Sequence, residues 1–145
     1  MTPRFLDEYL SVAAQLSPED LAPLASAGFR HIICNRPDDE NDGQPSHQCM
    51  AEAAVNLGMV FVYQPIRSAD EIVDAHVRSF ADTLDSAAGP TIAYCRTGTR
   101  SATLWAMSQA ARLTIHEVKA RLSSAGFDTD SFFQRIDHCW KVSAT

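Results

Sequence analysis

The segment from residue 95 to residue 101 constrains the fold of this chain more than any other part. It begins with Cys95, follows a short apolar run, Thr91–Tyr94, and precedes a helical pattern. A strand, a tight glycine-containing loop and a helix in direct succession predict a βα unit of an α/β protein. The loop N–H groups and the positive end of the helix would converge on the sulfur and form an anion cradle. Arg96 and Arg100 should further favour the thiolate form of the cysteine.

A simpler alternative is a buried cysteine at a strand end, beside two surface arginines. That alternative accounts for the cysteine alone. It leaves two arginines, a glycine and a helix start within seven residues unexplained.

The rest of the chain alternates between apolar runs and helical patterns. Three further strands are predicted, at Tyr9–Gln15, Phe29–Cys34 and Met59–Gln64. The patterns and capping residues predict six helices. The first starts at Ser17-Pro18 and ends at Gly28, the second runs from His47 to Leu57, and the third starts at Ser68 or Asp70. The fourth runs from Ala102 to Leu113, the fifth starts at the Thr114 capping box, and the sixth runs from Asp130 to Trp140. This alternation predicts a three-layer α/β fold with a mainly parallel central sheet flanked by helices, in one domain of residues 1–145.

Composition argues against several classes of function. The net charge of -6 and the pI near 5.2 disfavour a nucleic-acid groove, which needs clustered Lys and Arg. No apolar run of about 18 residues exists, so a membrane span is not expected. Asp7 and Glu8 lie where a signal peptide needs an apolar core, which predicts a cytoplasmic protein. The 4 cysteines and 5 histidines lack metal-ligand spacing, so we expect reduced thiols, no metal and no cofactor.

Two enzyme classes have loops that resemble Cys95-Arg96-Thr97-Gly98-Thr99-Arg100. Rhodanese-type sulfurtransferases have Cys-x-x-Gly-x-Arg, and tyrosine and dual-specificity phosphatases have Cys-x-x-Gly-x-x-Arg, one residue longer. Residues 5–115 as a whole resemble the phosphatase-like domain of the beta-lactamase hydrolase-like protein family. The segments that show this are the cysteine loop, Gln15-Leu16-Ser17-Pro18-Glu19-Asp20 and Ile33-Cys34-Asn35-Arg36-Pro37-Asp38. The resemblance implies a tyrosine-phosphatase-like fold.

The length of the loop favours sulfur transfer as the main expectation. With four residues between Cys95 and Arg100, the ring of N–H groups is one amide smaller than in a phosphatase. A smaller ring suits the terminal sulfur of a Cys95 persulfide better than a phosphoryl group. Tyr94 also stands where the usual phosphatase motif has histidine. The alternatives are a phosphatase with a Cys95 phosphocysteine intermediate, which the resemblance in fold supports, and a non-catalytic anion-binding module.

The remaining predicted site residues follow strand ends. Arg100 should bind the anionic group of the substrate, together with the loop residues Arg96, Thr97, Gly98, Thr99 and Ser101. Asp70 is the candidate general acid if the enzyme is a phosphatase, although a carboxylate at a helix N-terminus is the simpler explanation and needs no catalytic role. Arg36 adds positive charge to the crevice or is an exposed loop arginine. Asp38, in an acidic loop, is a weaker candidate acid.

The expected partners follow from these two chemistries. A sulfurtransferase would use a small anionic donor, thiosulfate or a persulfide, and a thiol acceptor, whereas a phosphatase would use a phosphorylated substrate. The family resemblance implies a role beside a sulfur dioxygenase, here as a separate chain. No nucleic-acid or membrane partner is expected.

Overall fold

A five-stranded sheet forms the centre of the protein, with strand order β1-β2-β5-β3-β4. The computed structural model describes residues 2–144, and side chains from residue 2 to residue 140. The strands are β1 (Arg4–Phe5), β2 (Leu10–Ala13), β3 (His31–Cys34), β4 (Val60–Tyr63) and β5 (Thr91–Tyr94). Strands β2 to β5 pair in parallel, and β1 is antiparallel to β2. The mainly parallel sheet is confirmed, and β1 is the strand that the sequence patterns did not predict.

Six α-helices surround the sheet. They are α1 (Leu21–Ser26), α2 (His47–Asn56), α3 (Asp74–Ser86), α4 (Thr99–Ser108), α5 (Ile115–Ser124) and α6 (Asp130–Ala144). Successive strand residues face opposite sides, so each sheet face has its own apolar core. One core joins α1 and α2 to the sheet through Leu21, Leu24, Met50, Ile32 and Tyr94. The other joins α3 to α6 to the sheet through Phe80, Trp105, Leu122, Ile136, Ile33 and Ala93. The predicted three-layer arrangement is therefore confirmed.

The start of the third helix differs from the prediction. The helix expected from Ser68 or Asp70 is only a 3₁₀ turn, Ala69–Glu71, and α3 begins after Val73. The extended backbone of Ile72 and Val73 separates the two elements. Asp70 therefore does not cap an α-helix.

Helix α4 begins earlier and ends earlier than expected. Gly98 is its N-cap, and the helix stops at Ser108 rather than Leu113. The Ser108 hydroxyl donates to the carbonyl of Trp105 at 2.6 Å, which satisfies an acceptor of the last turn. Residues 110–112 are exposed, so continuing the helix would bury no further apolar surface.

The parallel pairing brings three loops to one edge of the sheet. Cys34 is in register with both Tyr63 and Tyr94, so β3, β4 and β5 end side by side. The turns that follow these strands contain Arg36, Asp70 and Cys95. Within residues 2–144, no helix is both long and apolar enough to cross a membrane.

Candidate active site

The Cys95 thiol lies at the bottom of the predicted loop. The residue is fully buried, directly after β5. The Gly98 N–H donates a hydrogen bond to Cys95 Sγ at 3.1 Å. Gly98 has φ +92°, which directs its N–H back toward the sulfur and starts α4 at the next residue. The loop and the start of α4 therefore converge on the sulfur, as the sequence predicted.

The Arg100 guanidinium is held from one side by a carboxylate and a backbone carbonyl. Its Nη1 and Nη2 donate to the two Glu40 carboxylate oxygens, each at 2.8 Å, and Nη1 also donates to the Ile66 carbonyl at 2.8 Å. These bonds leave the Nε–Nη2 edge for another anion. The Glu40 carboxylate, and to a smaller extent Cys95, raise the pKa of Arg100. The guanidinium thus lies between a fixed carboxylate and the thiol.

Glu40 also binds a second arginine. Arg36 Nε donates to Glu40 Oε1 at 2.9 Å, and Arg36 Nη1 donates to Gln15 Oε1 at 3.0 Å. The Arg36 residue is only 3% exposed, so the alternative of a solvent-exposed loop arginine is wrong. Hydrogen bonding by Arg100, followed by that of Arg36, lowers the pKa of Glu40. A single ionised carboxylate therefore fixes two guanidinium groups at the edge of the site.

A cavity of about 590 Å³, here called the active-site cavity, opens above the loop. Six of the predicted site residues line it: Arg36, Asp70, Arg96, Thr97, Thr99 and Arg100. Asp70 is exposed and reaches this cavity from the 3₁₀ turn after β4. The structure thus brings the candidate acid and the cysteine loop to one cavity.

Two predicted site residues, Ser101 and Gly98, support the loop and do not line the cavity. Ser101 is fully buried, and its hydroxyl donates to Asn35 Oδ1 at 2.8 Å. Asn35 Nδ2 in turn donates to the Gln64 carbonyl at 3.0 Å. This chain of bonds ties the start of α4 to the turns after β3 and β4. Gly98 is a buried residue of the loop itself, where a Cβ would lie 3.2 Å from Phe127 Cζ.

Sequence reasoning missed three charged residues of the cavity, namely Glu40, Arg67 and Arg135. In the sequence, Glu40 lies in an acidic segment with Asp38, Asp39 and Asp42, a pattern typical of a solvated surface. Its spacing of four residues from Arg36 was the available signal, because nothing local connects it with Arg100. Arg135 lies on α6, and its position depends on how that helix packs.

Other candidates lie outside this cavity. Asp38 accepts hydrogen bonds from the His47 backbone and ring, so it is occupied as a structural carboxylate. Cys34 is buried, as expected, and burial raises the pKa of its thiol. Among the described side chains, no three His, Cys, Asp or Glu residues lie together in a way that would hold a metal ion.

The fold and the loop together define the class of the protein. A parallel sheet with a cysteine after its central strand, a loop ending in arginine and a helix starting at that loop is the tyrosine-phosphatase-like arrangement. A crystal structure of a Neisseria meningitidis protein, provisionally assigned as a phosphatase, is 35% identical with a TM-score of 0.83. The match covers 93% of this chain and 96% of that one.

A more distant structure shows the same fold. Pseudomonas aeruginosa TpbA, solved with its cysteine at position 132 replaced by serine and in complex with phosphotyrosine, is 17% identical with a TM-score of 0.64. That match covers 96% of this chain and 88% of TpbA. At this identity the likeness concerns the fold alone.

The chain belongs to the family described as the beta-lactamase hydrolase-like protein, phosphatase-like domain, whose model matches residues 3–112. The beta-lactamase hydrolase-like protein of Agrobacterium fabrum is 34% identical over 125 residues. That alignment covers 85% of this chain but 29% of the relative, so the chain spans less than a third of the relative's length. The family match ends before α5 and α6, and Arg135 lies outside it.

Proposed function

We propose that the protein is a cysteine-dependent phosphatase that hydrolyses phosphate monoesters through a Cys95 phosphocysteine. The observation that best supports this proposal is the convergence of the Cys95 loop, the Arg100 guanidinium and the Asp70 carboxylate on one cavity. The tyrosine-phosphatase-like fold adds support, although a fold by itself does not determine an activity. The sequence favoured sulfur transfer, and the comparisons support the phosphatase alternative better.

In the first chemical step, the Cys95 thiolate attacks phosphorus and forms the S–P bond while the P–O bond of the ester breaks. The loop N–H groups and the Nε–Nη2 edge of Arg100 stabilise the charge on the phosphoryl oxygens. Glu40 holds the other edge of Arg100, so the guanidinium needs little reorganisation as the charge develops.

Asp70 supplies the proton that the leaving oxygen needs. It acts as a general acid in the first step and, once ionised, as the base that takes a proton from water in the second. Water then attacks phosphorus, the S–P bond breaks, and inorganic phosphate and the Cys95 thiolate are released. Asp70 has the exposure and the cavity position for this role, because it lies on an open turn and faces the loop.

Sulfur transfer is a second candidate, because one observation favours it. Cys95 has no exposed surface. A persulfide adds a single atom to the thiol and needs less space than a phosphoryl group. In that reaction a thiolate acceptor takes the outer sulfur from Cys95 and restores the Cys95 thiolate, so no dedicated acid is required.

One preparation of the protein distinguishes the two reactions. Hydrolysis of p-nitrophenyl phosphate and sulfur transfer from thiosulfate to cyanide are measured for the wild type, Cys95→Ser and Asp70→Asn. We expect phosphate hydrolysis by the wild type, loss of it in Cys95→Ser, and a fall of about 100-fold in Asp70→Asn. Glu71→Gln is the matched control, since Glu71 lies on the same exposed turn outside the cavity lining.

Sulfur transfer that depends on Cys95 but not on Asp70, without phosphate hydrolysis, would reject the phosphatase proposal. If the wild type shows neither phosphate hydrolysis nor sulfur transfer, neither enzyme proposal stands. The non-catalytic anion-binding module is then the remaining function.

A further inference from the structure

A second cavity adjoins the active-site cavity at the cysteine loop. Its volume is about 360 Å³, and we call it the Arg4–Arg135 cavity after the two cations in its wall. It shares Thr97, Thr99 and Arg135 with the active-site cavity. The two cavities therefore adjoin at the cysteine loop, on either side of the residues that they share.

The chemistry of the Arg4–Arg135 cavity suits an anion. Besides its two arginines it has the hydroxyls of Thr129 and Ser131 and those of the shared threonines, whereas no described carboxylate lines it. Arg4 lies 5.0 Å above the Phe127 ring, which holds the guanidinium at the wall.

Six arginines line the two cavities, and half of them have no carboxylate partner among the described side chains. Arg36 and Arg100 share the Glu40 carboxylate, but Arg4, Arg96 and Arg135 have no ion pair with any described side chain. Five of the 12 Lys and Arg residues line the active-site cavity, although the whole chain has a net charge of -6. A single phosphoryl group on Arg100 would leave the outer cations without a counter-charge.

The opposite side of the active-site cavity is different. Beyond Asp70 lies a cavity of about 430 Å³ whose wall contains Ile72, Val73 and Val77, together with Asp74. The carboxylates of Asp70 and Asp74 both lie in this wall and disfavour the binding of an anion in this cavity. The charge distribution thus directs the second part of an anionic substrate toward Arg135.

We propose that the substrate carries two anionic groups, specifically two phosphate monoesters on one small polyol. One phosphoryl group binds at Cys95 and Arg100, and the other binds in the Arg4–Arg135 cavity, held by Arg135 and Arg4. The proposal deepens the proposed phosphatase function and rests on it. Arg135 and Arg4 are then residues that determine specificity, since they touch the part of the substrate that does not react.

The test compares an inositol bisphosphate with an inositol monophosphate as substrates, using phosphate release to obtain kcat/KM for each. The wild type should prefer the bisphosphate by about tenfold or more, since a hydrogen-bonded ion pair contributes that much. The preference ratio should fall about tenfold in Arg135→Gln and should also fall in Arg4→Gln. Arg78→Gln, an exposed arginine of α3 outside both cavities, should leave the ratio unchanged.

Different results would reject the second subsite and the proposed phosphatase function. An unchanged ratio in both Arg135→Gln and Arg4→Gln, or a wild type that prefers the monophosphate, overturns the second subsite but leaves the phosphatase intact. A wild type that releases no phosphate from p-nitrophenyl phosphate overturns the proposed function itself. Calorimetry with Cys95→Ser then tests the subsite alone, because binding of the bisphosphate should still exceed that of the monophosphate, and equal binding rejects it.

The same second phosphate is present in a lipid headgroup. Soluble inositol bisphosphate is therefore compared with phosphatidylinositol bisphosphate, whose headgroup carries two phosphate monoesters, in phosphatidylcholine vesicles, with the wild type and Arg135→Gln. Dependence on Arg135 with either compound supports the subsite, and the compound that shows this dependence identifies the source of the second phosphate. Independence from Arg135 with both compounds rejects it.

Discussion

At the scale of single residues, the arrangement of Arg100 determines what this site can bind. A guanidinium has five N–H donors in a planar fork, and here Glu40 and the Ile66 carbonyl occupy one side of it. The Nε–Nη2 side of the guanidinium lies beside the Cys95 thiol and remains available to an anion. Since Glu40 also holds Arg36, its loss would release two cations that are now fixed.

Replacing Glu40 by Gln should make the protein less stable at neutral pH. The pKa of Glu40 is lowered in the folded protein, so its stabilisation is present above the unfolded pKa of about 4.3 and is lost as pH falls through the folded value. The Glu40 side chain is 24% exposed, so we expect about 1 kcal/mol at pH 7 and a Tm lower by about 3 °C.

Thermal unfolding of wild type and Glu40→Gln across this pH range checks the expectation. The difference in Tm should shrink at acid pH, as the pH falls through the lowered pKa of Glu40 and the carboxylate of the wild type becomes protonated. Glu52→Gln, an exposed residue of α2 with no ion pair among the described side chains, is the control and should change stability by less than about 0.5 kcal/mol. A Glu40 difference that is equally large at both pH values would contradict the electrostatic account.

At the scale of the elements, the conformation of the strand–loop–helix unit depends on Gly98, the residue at which the chain turns into the helix. Gly98 has φ +92° and little room for a side chain, because an added Cβ would lie 3.2 Å from Phe127 Cζ. The same residue donates its N–H to Cys95 and caps α4. Any shift of this residue therefore moves both the start of the helix and a donor of the anion cradle.

Gly98→Ala should lose both stability and activity. The positive φ alone costs an alanine about 1–2 kcal/mol, and the Phe127 ring must also move by a few tenths of an ångström to accept the added Cβ. Gly58→Ala is the matched control, since Gly58 has φ +73° with nothing within 4 Å of the added Cβ. Urea unfolding should show a larger loss for Gly98→Ala, and only this variant should lower kcat for p-nitrophenyl phosphate. Equal losses in both variants would show that the close approach has no consequence.

The sequence predicted these elements better than it predicted the charged network. The strands β2 to β5 and the loop at Cys95 were evident, because apolar runs and a glycine are local signals. The strand β1 has two residues, too few for a pattern, and the extended Ile72–Val73 segment interrupts what looked like one continuous helix. Glu40 and Arg135 join the site through contacts across the fold, with Glu40 60 residues from Arg100, so no local pattern marks them.

At the scale of the whole molecule, the site is a cationic region on an acidic protein. The chain has 18 acidic and 12 basic residues, and 5 arginines face the active-site cavity. Such a distribution repels anions from most of the surface and attracts them at one place, which raises the rate of encounter. Arg96 is exposed at the mouth of the cavity, without an ion pair among the described side chains, so it should contribute to this attraction.

Arg96→Ala should therefore lower kcat/KM for p-nitrophenyl phosphate by about threefold at low ionic strength, mainly through slower encounter. At about 1 M salt the Debye length is about 3 Å, so the difference from the wild type should nearly disappear. Arg78→Ala removes an equal charge from a surface away from the cavity and should show no such salt dependence. If Arg96→Ala reduces activity equally at low and high salt, then Arg96 binds the substrate directly, and the attraction of anions must come from the other arginines of the cavity.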